Sequence, residues 1–282
     1  MTAAFQLTAE DLWPAWRLLG WLGHGEVYVA LVFLFAVGRQ WRRAVDFGVA
    51  LGLTAWTVGV AKALIAAPRP GWIDPTVHVE TVSASTGMPS GHAATAVCLI
   101  LLVRRPWAVV AVGAFALLVA TARVGAGVHS PAQVLAGLGL GVLVVVVTPP
   151  LVRGGARLGR PRVMVGALSL LGATWVVVAA TAGRPWPDAL SWGVDPSHLN
   201  AAVAAGLGNG LGLALGLWSA PGLMSAAGWR SPGVWLPPAA LGVAGLTLPA
   251  AALGPMAATL AASVLIWSLG RVADYGRRKT PK

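Results

Sequence analysis

Apolar residues in this chain come in long unbroken runs rich in Ala, Leu, Val and Gly, separated by short polar or Pro- and Gly-containing segments. A membrane-spanning helix needs about 20 predominantly apolar residues, whereas a strand of a transmembrane barrel alternates polarity over about ten. The runs do not alternate, so they predict helices, in which every backbone polar group is satisfied within the segment. They fall at residues 25–38, 44–66, 90–103, 107–122, 131–148, 163–182, 197–218, 234–252 and 254–270. The run at 90–103 is short for a crossing, which predicts that its outer end is sunk in protein. Residues 8–22, with Trp13, Trp16 and Trp21 around Arg17, read as an amphipathic helix lying on the membrane. The expected fold class is all-α, a polytopic transmembrane helix bundle. It divides into an interfacial segment 1–24, a first membrane domain 25–150, further helices over 151–270 that could be a degenerate repeat, and a basic cytoplasmic tail 271–282.

Composition agrees with a membrane protein: 282 residues, 57% hydrophobic and 10% charged, against about 25% charged in soluble domains. The net charge of +11 does not point to nucleic acid, because the basic residues are spread thinly between apolar runs and form neither stripe nor arm. Their placement is informative. One set of loops holds Arg39, Arg42, Arg43, Arg104, Arg105, Arg153 and later basic residues, 15 of the 20 Lys and Arg. The other side holds Arg17, Lys62, Arg69, Arg123 and Arg184 together with all five histidines and most of the acids. Because cytoplasmic loops carry the Lys and Arg excess, the second side is expected to face outside the cytoplasm, in a multi-pass protein of the cytoplasmic membrane. Treating the runs split at Gly254-Pro255 as one element would move the basic tail across and break this rule, so nine spans are retained. Cys98 lies within an apolar run and reads as packing. Acidic Glu10 and Asp11 stand where a cleavable signal would be basic, so no removable signal is expected.

Three polar clusters interrupt the outer ends of apolar helices: KALIAAPRP from Lys62 to Pro70, PSGH from Pro89 to His92, and RVGAGVH from Arg123 to His129. A cation or imidazole there is costly without water or a partner, which makes function the default reading; snorkelling accounts better for Arg104 and Arg105. Pro89 and Ser90 are helix-start residues and Gly91 lets a ligand approach the backbone, so the free amides and positive dipole end at 90–92 suit a phosphate or sulfate. His92 then stands where it could protonate a leaving oxygen. His129 precedes Ser130-Pro131, the start of the next helix, and Lys62, Arg69 and Arg123 are available to neutralise an oxyanion. The Cys, His and acidic residues show no metal-ligand spacing, and no cofactor is implied.

Together the clusters resemble the signature of the PAP2 family, the type 2 phosphatidic acid phosphatases, akin to glucose-6-phosphatases and to soluble vanadium haloperoxidases. Its pattern is KxxxxxxRP, PSGH, then SRxxxxxHxxxD. Lys62 to Arg69-Pro70 matches the first, Pro89-Ser90-Gly91-His92 the second, and Arg123 with His129 the third, over residues 44 to about 148. The resemblance implies that His129 is a nucleophile forming a phosphohistidine and that His92 protonates the leaving alkoxide. It also implies that Lys62, Arg69, Arg123, Ser90 and Gly91 hold the phosphoryl oxygens. Two positions depart from the pattern. Ala122 replaces the serine before the arginine, and Gln133 replaces the aspartate that orients the nucleophilic histidine. A glutamine carbonyl can accept the Nδ1 proton but supplies no negative charge. Asp74 and Glu80, in the outer loop, could substitute; solvated loop acids are the plainer expectation.

The second half carries fainter echoes. Arg184-Pro185 is like Arg69-Pro70 and Pro196-Ser197-His198 is like PSGH, but nothing corresponds to Lys62 or His129. Its glycines, among them Gly206, Gly208 and Gly210, read as helix-packing positions. The function expected is a membrane phosphomonoesterase or diphosphatase acting at the outer face on a lipid phosphate. Prenyl phosphates, phosphatidic acid, phosphatidylglycerol phosphate and sugar phosphates all satisfy the same cations. The alternative is a catalytically impaired lipid-phosphate binding protein, with Gln133 as its support. A transporter finds little support in spans that carry few polar groups at mid-depth.

Overall fold

In the computed structural model the described residues are 2–7, 10–38, 40–79 and 85–158, with two isolated positions beyond. The spans expected at 163–182, 197–218, 234–252 and 254–270, the Arg184 and His198 echoes, the glycine-rich stretch and the basic tail lie outside the described residues.

Among the described residues eight α-helices follow one another: α1 (Thr2–Leu7), α2 (Trp13–Leu22), α3 (Gly25–Val37), α4 (Trp41–Ile65), α5 (Pro70–Ile73), α6 (Gly91–Cys98), α7 (Pro106–Gly125) and α8 (Pro131–Leu158). Three-residue and four-residue 3₁₀ turns precede α2 (Glu10–Leu12) and continue α6 (Leu99–Leu102). The described residues contain no strand, and the bundle is all-helical as the uniform apolar runs predict. The segments Arg42–Ile73, Pro106–Gly125 and Pro131–Gly154 are long and apolar enough to cross a membrane. Helix α3, with 13 residues, and the stretch Gly91–Leu102 are shorter than a crossing.

The short helix α6 is the axis of the bundle and packs against α4, α7 and α8. Its Ala93, Ala94 and Ala96 are fully buried, and small side chains let neighbouring backbones come close. Gly137 and Gly141 of α8, one turn apart, complete the fit. A Cβ at Gly137 would run into the Ser90 carbonyl, and one at Gly141 would lie 2.5 Å from the Ala94 carbonyl. This contact brings the start of α6 beside the first turns of α8, which is where two of the three polar clusters lie. At the opposite end Tyr28, Phe47, Leu51, Cys98, Leu102 and Val144 close the apolar core. Asp46 there lies within electrostatic reach of Arg42 and Arg153, so the start of α4 and the end of α8 share one end of the bundle.

Two boundaries differ from the sequence reading. Helix α8 runs on through Pro149 and Pro150 to Leu158, although a proline pair normally ends a helix. The amphipathic segment is broken: α1 precedes it, and Trp13–Leu22 is packed on α7. Trp16 is buried against Gly125 and Ala122, while Leu18 and Trp21 remain exposed.

Candidate active site

Helix α4 ends just beyond Lys62. Ala66 takes the left-handed conformation at φ 55° and its N–H bonds the Lys62 carbonyl, which turns the chain back so that Arg69 returns toward the bundle. The loop after residue 84 is fastened to this corner. The Thr86 hydroxyl donates to the Lys62 carbonyl at 3.1 Å and the Gly87 amide to the Ala67 carbonyl at 2.8 Å. Ser85 thereby sits between two cations: its Oγ accepts from Lys62 Nζ at 3.0 Å and from Arg69 Nη2 at 3.0 Å. Arg69 Nε also donates to the Ser85 carbonyl at 2.6 Å and Nη1 to the Val128 carbonyl at 2.7 Å.

Arg69 is 5% exposed, and among the described residues neither it nor Lys62 has a carboxylate within ion-pair distance. Buried charge is normally paired. Two linked cations without an acidic partner, with Arg123 close enough to act on both, are built to receive an anion.

His129 faces this group. Its Nε2 lies 3.4 Å from Arg69 Nη1 and its Nδ1 lies 3.2 Å from Gln133 Oε1. The orientation of the Gln133 amide is fixed by its other partners, because Nε2 donates to the Pro68 carbonyl at 2.8 Å and Oε1 accepts from the Ser130 amide at 3.1 Å. An amide oxygen only accepts. His129 Nδ1 is therefore the protonated nitrogen, and the Nε2 lone pair is directed toward the cations. Burial, followed by the positive charges of Arg69, Lys62 and Arg123, holds the His129 pKa well below the ordinary 6.5. The ring is neutral at physiological pH, as a nucleophile must be.

Gln133 thus stands where the expected aspartate would. Among the described residues no carboxylate reaches His129: the Asp74 Oδ1 accepts instead from the amide and hydroxyl of Thr76, and Glu80 is outside the described residues. Gln133 also completes a capping box, since its own amide lies 3.4 Å from Ser130 Oγ while its side chain reaches back to the Ser130 N–H. A Cβ at Gly87 would collide with the Gln133 carboxamide, so that position is glycine for want of room.

The PSGH cluster lies beside this group. Ser90 is the N-cap residue of α6, its amide donates to the Gln133 carbonyl at 3.0 Å, and its Oγ is buried without a hydrogen-bond partner among the described residues. Gly91 and His92 open the helix, and His92 Nε2 is likewise buried and unpartnered. His92 and Arg123 are both close enough to influence His129 electrostatically. The structure therefore gathers Lys62, Arg69, Ser90, Gly91, His92, Arg123, His129 and Gln133 at one end of the bundle. Sequence reasoning missed Ser85, which bridges the cations, and His24, whose ring lies 5.5 Å from that of His92 at 62°. The S-x-x-Q capping box at Ser130–Gln133 was a readable signal for how Gln133 is held; nothing in the sequence marked Ser85.

An all-helical membrane bundle that gathers cations and two imidazoles at its helix ends is suited to phosphoryl chemistry. Residues 43–155, less than half of the chain, match the family model of the PAP2 superfamily, a match that points to a phosphatase-type membrane protein. No curated protein and no solved structure matches the chain.

Proposed function

We propose that this protein is an integral membrane phosphatase that hydrolyses a lipid phosphate or diphosphate at the outer face of the cytoplasmic membrane, through a phosphohistidine on His129 and without a metal ion. The observation that carries this reading is the linked pair of half-buried Lys62 and buried Arg69, with no carboxylate at ion-pair distance among the described residues and with Arg69 facing the lone pair of His129 Nε2. In the first step Nε2 attacks phosphorus and the bond to the leaving oxygen breaks. Lys62, Arg69, Arg123, the Ser90 hydroxyl and the Gly91 amide hold the phosphoryl oxygens, and His92, as the imidazolium that the negative charge of the bound phosphate favours, gives its proton to the leaving oxygen and is left neutral. Water then attacks the phosphohistidine with His92 as base. Cations and helix amides supply the charge stabilisation that a metal gives elsewhere.

Support for a lipid substrate comes from the surroundings of the site, where Leu64, Ile65 and Ile73 flank the cation corner with their side chains more than half exposed. A head group could enter while its chains stay in hydrocarbon. The outward orientation rests on the Lys and Arg asymmetry of the loops. The catalytic unit is taken as residues 25–150, with the interfacial segment 1–24 before it and the apolar runs expected over 151–270 as a scaffold.

The neutral Gln133 favours a second reading, a lipid-phosphate binding protein with impaired chemistry. Phosphate release by purified protein in detergent, on a panel of prenyl, diacylglycerol and sugar phosphates, separates the two. Turnover abolished by His129→Ala supports the phosphatase. Absence of turnover on every substrate, with binding that depends on Arg123, supports the second reading and defeats the first.

A further inference from the structure

The N-terminal segment lies outside residues 43–155, yet it is fastened over the site. Gln6 Nε2 donates to the His78 carbonyl at 2.7 Å and to the Gly125 carbonyl at 2.8 Å, and the His78 amide donates to Gln6 Oε1 at 3.1 Å. Trp13 meets the ring of His78, centroids 5.1 Å apart, and Trp16 fills the space left by Gly125. With α2 so placed, its C-terminal glycines touch two site residues. A Cβ at Gly20 would lie 3.1 Å from Arg123 Nη1, and one at Gly23 would lie 2.8 Å from His92 Cδ2. The next residue, His24, sets its ring edge to face against His92.

This matters because the two imidazoles of the site are held differently. His129 has a hydrogen-bonded orienter in Gln133, the arrangement that fixes a reacting ring. Among the described residues His92 Nε2 is buried without a hydrogen-bond partner; its ring packs on one side against the bare backbone of Gly23 and against the ring of His24. Proton transfer to a leaving oxygen requires a heavy-atom approach of about 3 Å, so a ring free to turn delivers its proton poorly.

We propose that His24 is a positioning residue for the proton donor of the phosphatase: its ring, carried in by the N-terminal helix pair, holds the His92 imidazole with Nε2 aimed at the leaving oxygen. The inference rests on the phosphatase reading given above. In the step it serves, the bond from phosphorus to the leaving oxygen breaks and its electron pair stays on that oxygen. The oxygen takes the proton from His92 Nε2 and departs as an alcohol, while His129 Nε2 forms the new bond to phosphorus. A leaving group that is already stable as an anion needs no such proton, and that difference separates positioning from general structural support.

The test compares an alkyl phosphate with p-nitrophenyl phosphate on the purified full chain. In His24→Ala, kcat for the alkyl ester should fall about tenfold, a fraction of the roughly 10²-fold that a positioned proton donor contributes, while kcat for the aryl ester stays within about twofold. His24→Phe, which keeps a ring without an ionisable nitrogen, should restore the alkyl rate. Equal losses on both esters, no loss on either, or failure of the phenylalanine to restore would overturn the role of His24. If the unaltered chain cleaves neither ester, or if cleavage survives in His129→Ala, the phosphatase reading itself falls and this inference with it.

Discussion

Replacing Gln133 by glutamate exchanges an NH₂ for an oxygen in a side chain of the same length, so it adds one negative charge beside His129 and changes little else. Its capping role is kept, because a glutamate at this position of a helix start serves as well as a glutamine. The charge arrives next to a ring whose Nδ1 now lies 3.2 Å from a neutral oxygen. Two unit charges about 4 Å apart attract by about 4 kcal/mol at an effective dielectric of about 20. If about half a charge develops on the imidazole as Nε2 bonds phosphorus, about 2 kcal/mol of that is gained in the transition state, or roughly 30-fold in rate. The opposing effect falls on stability. Gln133 Nε2 now donates to the Pro68 carbonyl at 2.8 Å, and a carboxylate there would set oxygen against oxygen, costing about 1–3 kcal/mol for the unsatisfied carbonyl. Gln133→Glu is therefore expected to release phosphate from p-nitrophenyl phosphate roughly 10- to 30-fold faster per folded molecule, with a lower thermal midpoint in the same detergent. A rate equal to or below that of the unaltered chain, in protein that retains its helical signal, would refute the reasoning that the missing charge limits the chemistry.

Other consequences follow from the same geometry. Because the His129 pKa is held well below 6.5 in the folded chain, the nucleophile stays neutral as pH falls through 6.5, and a pH–kcat/KM profile should show its acid limb below that value. Arg69→Gln removes the nearest of the depressing charges and should move the limb to higher pH, whereas an unmoved limb would mean that another group sets it. The sign for stability is the same: an unfolded histidine takes a proton below about 6.5 that the folded one refuses, so this contribution is intact above that pH and is lost on acidification. Gly87→Ala places a methyl group against the Gln133 carboxamide and should lower kcat at least about tenfold by turning His129, in line with the steep cost of small misplacements; full activity would contradict the account of that contact. Gly137→Ala presses on the Ser90 carbonyl and should destabilise the bundle by about 1–3 kcal/mol, read as a lower thermal midpoint, while an unchanged midpoint would show that α8 can move away from α6 at no cost.

The sequence made the helical class legible because unbroken apolar runs leave few alternatives in a membrane. It also made most of the site legible, since the Lys62–Arg69, Ser90–His92 and Arg123–His129 clusters each sit where a helix begins or ends. What it could not convey depended on contacts between distant segments. Ser85 and Gly87 lie in an unpatterned polar loop, and their roles exist only because that loop docks on the end of α4. The N-terminal segment reads as an interfacial helix because Leu18 and Trp21 are indeed outward, while its inward side is marked by little more than Trp16, Gly20 and Gly23, residues whose use depends on the neighbour they meet. Gln133 could be identified as a departure from the family pattern, but the pair of bonds that fix its amide, and through it the His129 tautomer, required the position of Pro68.

The central claim is that phosphate passes through a covalent bond to His129. The most direct test is the stereochemistry of hydrolysis at a phosphorus made chiral with oxygen isotopes and sulfur. Two successive in-line displacements, first by His129 Nε2 and then by water, predict overall retention of configuration and an acid-labile phosphoryl label on the peptide containing His129. Inversion, with no label recovered on that peptide, would mean that water attacks the substrate directly and would contradict the account.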